Sequence, residues 1–188
     1  MANHTTYDLW IEKGYEIFAE DGVDGLQVER LARILQLNKS GFYHYFGDRD
    51  SFIDELLKFH GVCANLITED YKRIKDFDPG FIDITLKFRF SILFHMQLVR
   101  YRHIEKFNNF YQHINKDVDK EIVRTFSKFV GLEENPELAQ KFFTQARDMF
   151  YSRITQENMN EEFLRSLIYE VRDLVHIFMR QPNTEEKS

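Results

Sequence analysis

Cysteine, proline and glycine are all scarce in this chain. A single cysteine, Cys63, stands among 188 residues. That excludes an intrachain disulfide framework and any cysteine-based zinc site within one chain. Three prolines and eight glycines are too few for a many-stranded β fold, which needs a turn every ten residues or so. No segment reaches about eighteen uncharged apolar residues, the length that would span a bilayer. The opening "MANHTTYDLWIEKG" lacks the basic and apolar regions of a signal peptide. A reducing, cytoplasmic location is therefore expected. Enzyme motifs are missing too. There is no glycine-rich phosphate loop, no H-E-x-x-H and no G-x-S-x-G. No histidine follows a glutamate by three residues, as a helical di-iron site requires. The chain is not expected to be an enzyme, and neither a metal nor a cofactor is expected.

What the chain has in abundance is phenylalanine, nineteen in all, with 30% charged residues. Few helix breakers and many large apolar side chains predict an all-α fold of about nine helices around an aromatic interior. Thr5 and Asp8 have the spacing of a capping box, opening a helix over about 7–20. Trp10, Ile11, Gly14, Ile17 and Phe18 form its apolar stripe. "DGVDG" ends it. Val28, Leu31, Ala32 and Leu35 recur at helical period and define a short second helix that stops near Gln36. Asn38 is a good cap for a third, from Lys39 to about Phe46, with Gly47 as its stop and Asp48 as the next cap. A long fourth helix keeps one phase through Phe52, Ile53, Leu56, His60, Cys63, Ile67 and Tyr71.

The stretch "FIDITLKFRFSI" alternates apolar and polar residues as a strand would. It has no partner with hairpin chemistry, so a single buried central helix through Val99 is expected instead. Further helices are predicted near 102–112, 116–130, 136–155 and 161–179, with Pro136 suited to a first turn. The polar tail, 182–188, is expected to be disordered.

The second and third helices are short and separated by about three residues, the layout of a helix-turn-helix. In that motif the later helix enters the DNA major groove and offers its N-terminal residues to the bases. Phe42 and Phe46, four apart, fit the role of anchors. Ser40 and Gly41 allow close approach, and Tyr43, His44 and Tyr45 supply polar donors. The free N–H groups of the first turn would favour phosphate.

The segment "IFAEDGVDGLQVERLARILQLNKSGFYHYFGDRDSFIDELL" resembles the N-terminal domain of TetR/AcrR transcriptional regulators. The residues that carry the likeness are Phe18-Ala19-Glu20-x-Gly22, Leu31-Ala32, Phe42-Tyr43-x-x-Phe46 and then Arg49. The resemblance implies a homeodomain-like three-helix DNA-binding domain over residues 1–50 and a larger helical ligand-binding and dimerisation domain over 51–188. It implies DNA contacts at Gln27, Lys39, Ser40, Gly41, Tyr43, His44, Tyr45 and Arg49. Three positions depart from the family habit. Gln36 stands in place of a turn glycine, Gln27 in place of a capping Ser or Thr, and His4 in place of a basic residue.

Charge runs against the DNA reading. Residues 1–60 hold six Lys/Arg and eleven Asp/Glu, a formal net of −5. Over 30–49 the balance reverses to +3, with Arg30, Arg33, Lys39 and Arg49 against Asp48. A small basic face on an acidic body predicts modest, salt-dependent DNA affinity.

Phe88, Phe90, Phe94, His95, Phe107, Phe110 and Tyr111 are candidates for a small-molecule pocket. Phe142, Ala146, Met149, Phe150, Leu164, Leu167, Val171, Leu174 and Phe178, on two wide apolar stripes, are candidates for a dimer interface. The expected function is a homodimeric, effector-released repressor that binds a palindromic operator. The competing expectation, favoured by the acidic N-terminal region, is a non-DNA-binding helical module for a partner or small molecule.

Overall fold

The structure is a computed structural model that describes residues 5–180, apart from the Asp117 side chain. His4 and the tail 182–188 lie outside the described residues. Nine helices and no strand occur among the described residues: α1 (Thr6–Gly25), α2 (Val28–Leu35), α3 (Lys39–Phe46), α4 (Arg49–Arg73), α5 (Phe77–Lys87), α6 (Arg89–Arg100), α7 (Glu105–Val130), α8 (Pro136–Arg153) and α9 (Glu161–Arg180).

Local signals set most of these boundaries. The Thr5–Asp8 box forms, with Thr5 Oγ1 accepting the Asp8 N–H at 3.2 Å and Asp8 accepting the Thr5 N–H at 2.9 Å. Asn38 accepts the Ser40 N–H at 3.1 Å and starts α3. Asp48 accepts the Ser51 N–H at 2.7 Å at the head of α4. Asn135 accepts the Leu138 N–H at 3.1 Å, with Pro136 in the first turn of α8. Each cap satisfies a donor that the helix itself leaves open.

Two expected boundaries move. The central helix divides at Phe88, whose φ of −104° and ψ of 33° interrupt the helical run. The division coincides with a passage between compact units. Among the described residues, one unit holds 5–67 and 88–116, and the other holds 68–87 and 117–180. The second change is a fusion. The expected break between residues 112 and 116 is absent, and α7 runs through it. Asn115 would favour a turn if its amide competed with the backbone. Instead its Oδ1 lies 3.0 Å from His95 Nε2, and the residue is buried. One split and one fusion leave the count at nine.

The first unit is an aromatic core. Trp10 packs edge-on against Phe42, and Phe42 against Phe52, which also meets Phe46. The Phe18 ring stacks on Phe94 at 4.1 Å. Gly14 allows this packing, because a Cβ there would be driven into the Phe52 ring. The buried-central-helix expectation holds for α6, in which Ser91 to Leu98 are all buried.

The second unit has its own interior. Phe77 and Phe126, then Phe126 and Phe143, meet edge to face at 5.6 and 5.4 Å. Leu164, Leu167, Ile168, Val171 and Val175 of α9 are buried there. Arg124 gathers the carbonyls of Tyr71 and Ile74 at 3.1 and 3.0 Å. It thereby ties down the C-terminal end of α4, where carbonyls have no intrahelical partner.

Candidate nucleic-acid interface

The α2–α3 pair is built to hold one helix out into solvent. Leu31 and Ala32 of α2 and Phe42 and Phe46 of α3 are the buried anchors. The turn between the helices closes with the Leu37 N–H donating to Ala32 O at 3.0 Å. It requires a left-handed residue, and Gln36 takes that conformation with φ 56° and ψ 36°. This is the position where a turn glycine is usual, and a non-glycine residue there costs about 1–2 kcal/mol. Gln27 is the N-cap of α2 and makes no side-chain capping bond, consistent with its standing where Ser or Thr is usual.

With Phe42 and Phe46 turned inward, the opposite face of α3 is open. Lys39, Ser40, Tyr43, His44 and Tyr45 are exposed, Gly41 is half-buried, and Gln27 and Arg49 are exposed on flanking segments. Tyr43 and Tyr45 keep 50% and 44% of their surface in solvent. A Cβ added at Gly41 would meet nothing within 4 Å. Packing inside the protein therefore does not demand glycine there.

Two expectations at this face need correction. The N–H groups of Ser40 and Gly41 are already engaged, by Asn38 Oδ1 at 3.1 Å and Asn38 O at 3.0 Å. They are not open donors for phosphate, so the donors this face can offer are side chains. The cations are engaged as well. Lys39 Nζ lies 3.2 Å from Glu29 Oε1, Arg30 lies 2.5 Å from Asp21, and Arg49 donates to the Val23 carbonyl. Glu29 carries a carboxyl held below its usual value, first by its own backbone N–H and then by Lys39.

Residue identity alone did not reveal two contributors. Glu29 reads as an ordinary acid in the first turn of α2, and only the fold brings it to Lys39. Tyr7 reads as an ordinary residue of α1. Its ring meets Tyr45 at 5.9 Å and Phe46 at 5.3 Å, so it buttresses α3 from behind. Its hydroxyl donates to Glu55 at 2.8 Å, and burial together with that carboxylate pushes it up to about 12.

The seven pocket candidates separate. Phe94, His95, Phe107 and Tyr111 are buried, Phe88 and Phe110 are half-buried, and Phe90 is exposed. His95 and Tyr111 rings meet at 5.0 Å. His95 belongs to a buried polar chain. Tyr15 Oη lies 2.6 Å from His60 Nδ1 and 3.0 Å from Ser91 Oγ, His60 Nε2 lies 3.1 Å from His95 Nδ1, and His95 Nε2 reaches Asn115. Burial, and then the neighbouring His95, hold His60 well below its ordinary value. An open groove of about 200 Å³ runs between α1 and α4, lined by Tyr7, Ile11, Glu55, Phe59 and Val62 among others. None of the seven candidates lines it.

The dimer candidates separate too. Phe150, Leu164, Leu167 and Val171 are buried within the second unit, so they fill its core and do not face outward. Leu174 and Phe178 are more than half exposed, and Phe142, Ala146 and Met149 are half-buried. Phe142 and Phe178 rings meet at 5.3 Å. Ile177 and Met179, also more than half exposed, extend this apolar surface and were not among the candidates.

Comparison with known proteins agrees with this geometry. Residues 10–56 match the family "Bacterial regulatory proteins, tetR family". The match contains α2 and α3 whole and the aromatic anchors beneath them. No curated protein sequence matches the chain. The fold is similar to the crystal structure of a transcriptional regulator (TerR/AcrR family) from Aquifex aeolicus VF5. That likeness has a TM-score of 0.64 at 19% identity and covers 93% of this chain and 99% of that one.

Proposed function

We propose that this chain, a TetR-family regulator by its N-terminal segment, is a homodimeric repressor that binds a palindromic operator and is released by a small-molecule effector. Residues 1–50 form the DNA-reading head, and residues 51–188 bind the effector and dimerise. The observation that carries the reading is the open face of α3. Its anchors are fully turned inward while Lys39, Ser40, Tyr43, His44 and Tyr45 remain in solvent. A helix whose polar residues served only the interior would not leave two tyrosines half exposed.

One such helix reads too few base pairs for strong selection, and two related by a dyad span successive major-groove turns. The apolar surface of Leu174, Ile177, Phe178 and Met179, with Phe142, supports pairing through α8 and α9. An effector that fits only one of two arrangements of the larger domain shifts the balance between them. The α4 helix contributes residues to both compact units and is the natural carrier of that change. The aromatic group around Phe94 and Tyr111 is the proposed effector region. The protein acts in the cytoplasm, without a cofactor and without catalysis. Among the described residues no helix is long and apolar enough to cross a membrane.

The test is a gel shift with the duplex upstream of the chain's own coding region. Binding is expected for the wild type and lost in the Lys39→Ala/Tyr43→Phe variant, with an unchanged melting curve. Equal retention of the duplex by both would refute the reading of α3 as the recognition helix.

A further inference from the structure

Resting on the DNA-binding reading above, we propose that Glu29 is a positioning residue that holds Lys39 back from DNA phosphate. Duplex must then displace a carboxylate before the cation at the head of α3 can engage.

The geometry is specific to this pair of helices. Glu29 sits in the first turn of α2 and Lys39 at the first position of α3, ten residues on. The α2–α3 turn brings their side chains to 3.2 Å, with both still well exposed. Lys39 Nζ donates to Glu29 Oε1, where a phosphate oxygen would otherwise be its acceptor. A carboxylate and a phosphate offer the same chemistry to an ammonium, so they compete for it.

The surroundings make the competition matter. Arg30 is paired with Asp21, and Arg49 donates to a carbonyl. Three of the four cations that give residues 30–49 their positive balance thus have intramolecular partners, and Arg33 is the fourth, exposed on α2. The phosphate term normally supplies most non-specific affinity. Here the protein holds that term down with its own acids. Binding then depends on the side-chain donors of Tyr43, His44 and Tyr45 more than on bulk charge.

A bland role for Glu29 makes the opposite prediction. An acid in the first turn stabilises a helix through its dipole. If that were its only contribution, Glu29→Gln would loosen α2 and weaken DNA binding or leave it unchanged. A residue that restrains Lys39 gives stronger binding when neutralised.

The experiment measures binding to a mixed-sequence 30-base-pair duplex and to a duplex selected by the chain from a random pool, across a salt titration. The proteins are the wild type, Glu29→Gln, Lys39→Gln and the double variant, each checked by a melting curve. Glu29→Gln is expected to bind about two- to fivefold more tightly at low salt, the range an exposed ion pair commands. Its plot of log affinity against log salt should steepen by up to about 0.9 per subunit, the slope of one phosphate contact. In the Lys39→Gln background both gains should vanish.

An unchanged or weaker Glu29→Gln protein overturns the proposal. So does a gain that persists without Lys39, because general charge repulsion would then be the cause. A wild type that retains no duplex at any salt removes the regulator reading, and this proposal with it. A wild type that binds normally while Glu29→Gln is unaltered removes only the proposal.

Discussion

Replacing Gly41 by alanine separates folding from DNA reading. Gly41 lies in the first turn of α3, and an added Cβ finds open space within 4 Å. Inside the protein the substitution therefore removes only the entropic cost of glycine in a helix, about 0.5–1 kcal/mol. A gain of that size raises the melting temperature by about 1–4 °C in a chain of this length. The DNA side is different. If the N-terminal face of α3 lies against base edges, the methyl group occupies space that the duplex needs. A displacement that loses even one good base contact costs about 1–3 kcal/mol, or five- to 150-fold in affinity. Thermal unfolding and a gel shift on the same preparation give both numbers. The expected outcome is a melting temperature equal to or above wild type with a duplex affinity at least fivefold lower. An alanine variant that melts higher and binds equally well would refute close approach at this face, and with it the reason for a Ser-Gly pair there.

Other substitutions test the packing and the charge. Gly14→Ala should destabilise the fold by about 1–3 kcal/mol in urea unfolding, because the fully buried Phe52 ring has no room to yield to a Cβ. His60 has a folded value below its unfolded one, so the unfolded chain takes up a proton that the folded chain refuses. Its stabilising effect is present above about pH 6.5 and is lost as the pH falls below that. Unfolding free energies measured between pH 7 and 5 should decline more steeply for wild type than for His60→Asn. Leu174→Glu with Phe178→Glu places charge on an exposed apolar surface without touching the core. A shift to monomer in sedimentation is expected, with melting little changed at high protein dilution. An unaltered assembly would place the dimer contact elsewhere.

Much of the head was legible because its signals are local. Thr5, Asn38 and Asp48 cap helices by bonding to backbone within three residues, a geometry that chain spacing alone dictates. The anchors Phe42 and Phe46 follow from helical period, and their burial turns the remaining face of α3 outward. Even the departure at Gln36 was visible as a missing glycine, and the backbone there does adopt the left-handed conformation.

Non-local partners decided the rest. The alternation of "FIDITLKFRFSI" is not matched by burial, since Ile82 and Ile84 are buried while Phe90 is exposed. Period alone could not divide that run at Phe88, because the division follows from two halves packing into different compact units. Asn115 stays helical because His95, twenty residues away, takes its side chain. The wide stripes of α8 and α9 exposed no sequence difference between residues that fill a core and residues left outside. Leu167 and Leu174 are the same residue on the same helix, and only packing separates them.

The sequence by itself determined the all-helical class, the N-terminal caps and the short α3 with its two inward anchors, because hydrogen bonds within a turn and a 3.6-residue period are encoded by neighbours. Tertiary structure decided which apolar residues remain outside, how the buried histidines are joined, and that Glu29 meets Lys39. Those outcomes depend on groups brought together by folding, and no local pattern specifies them.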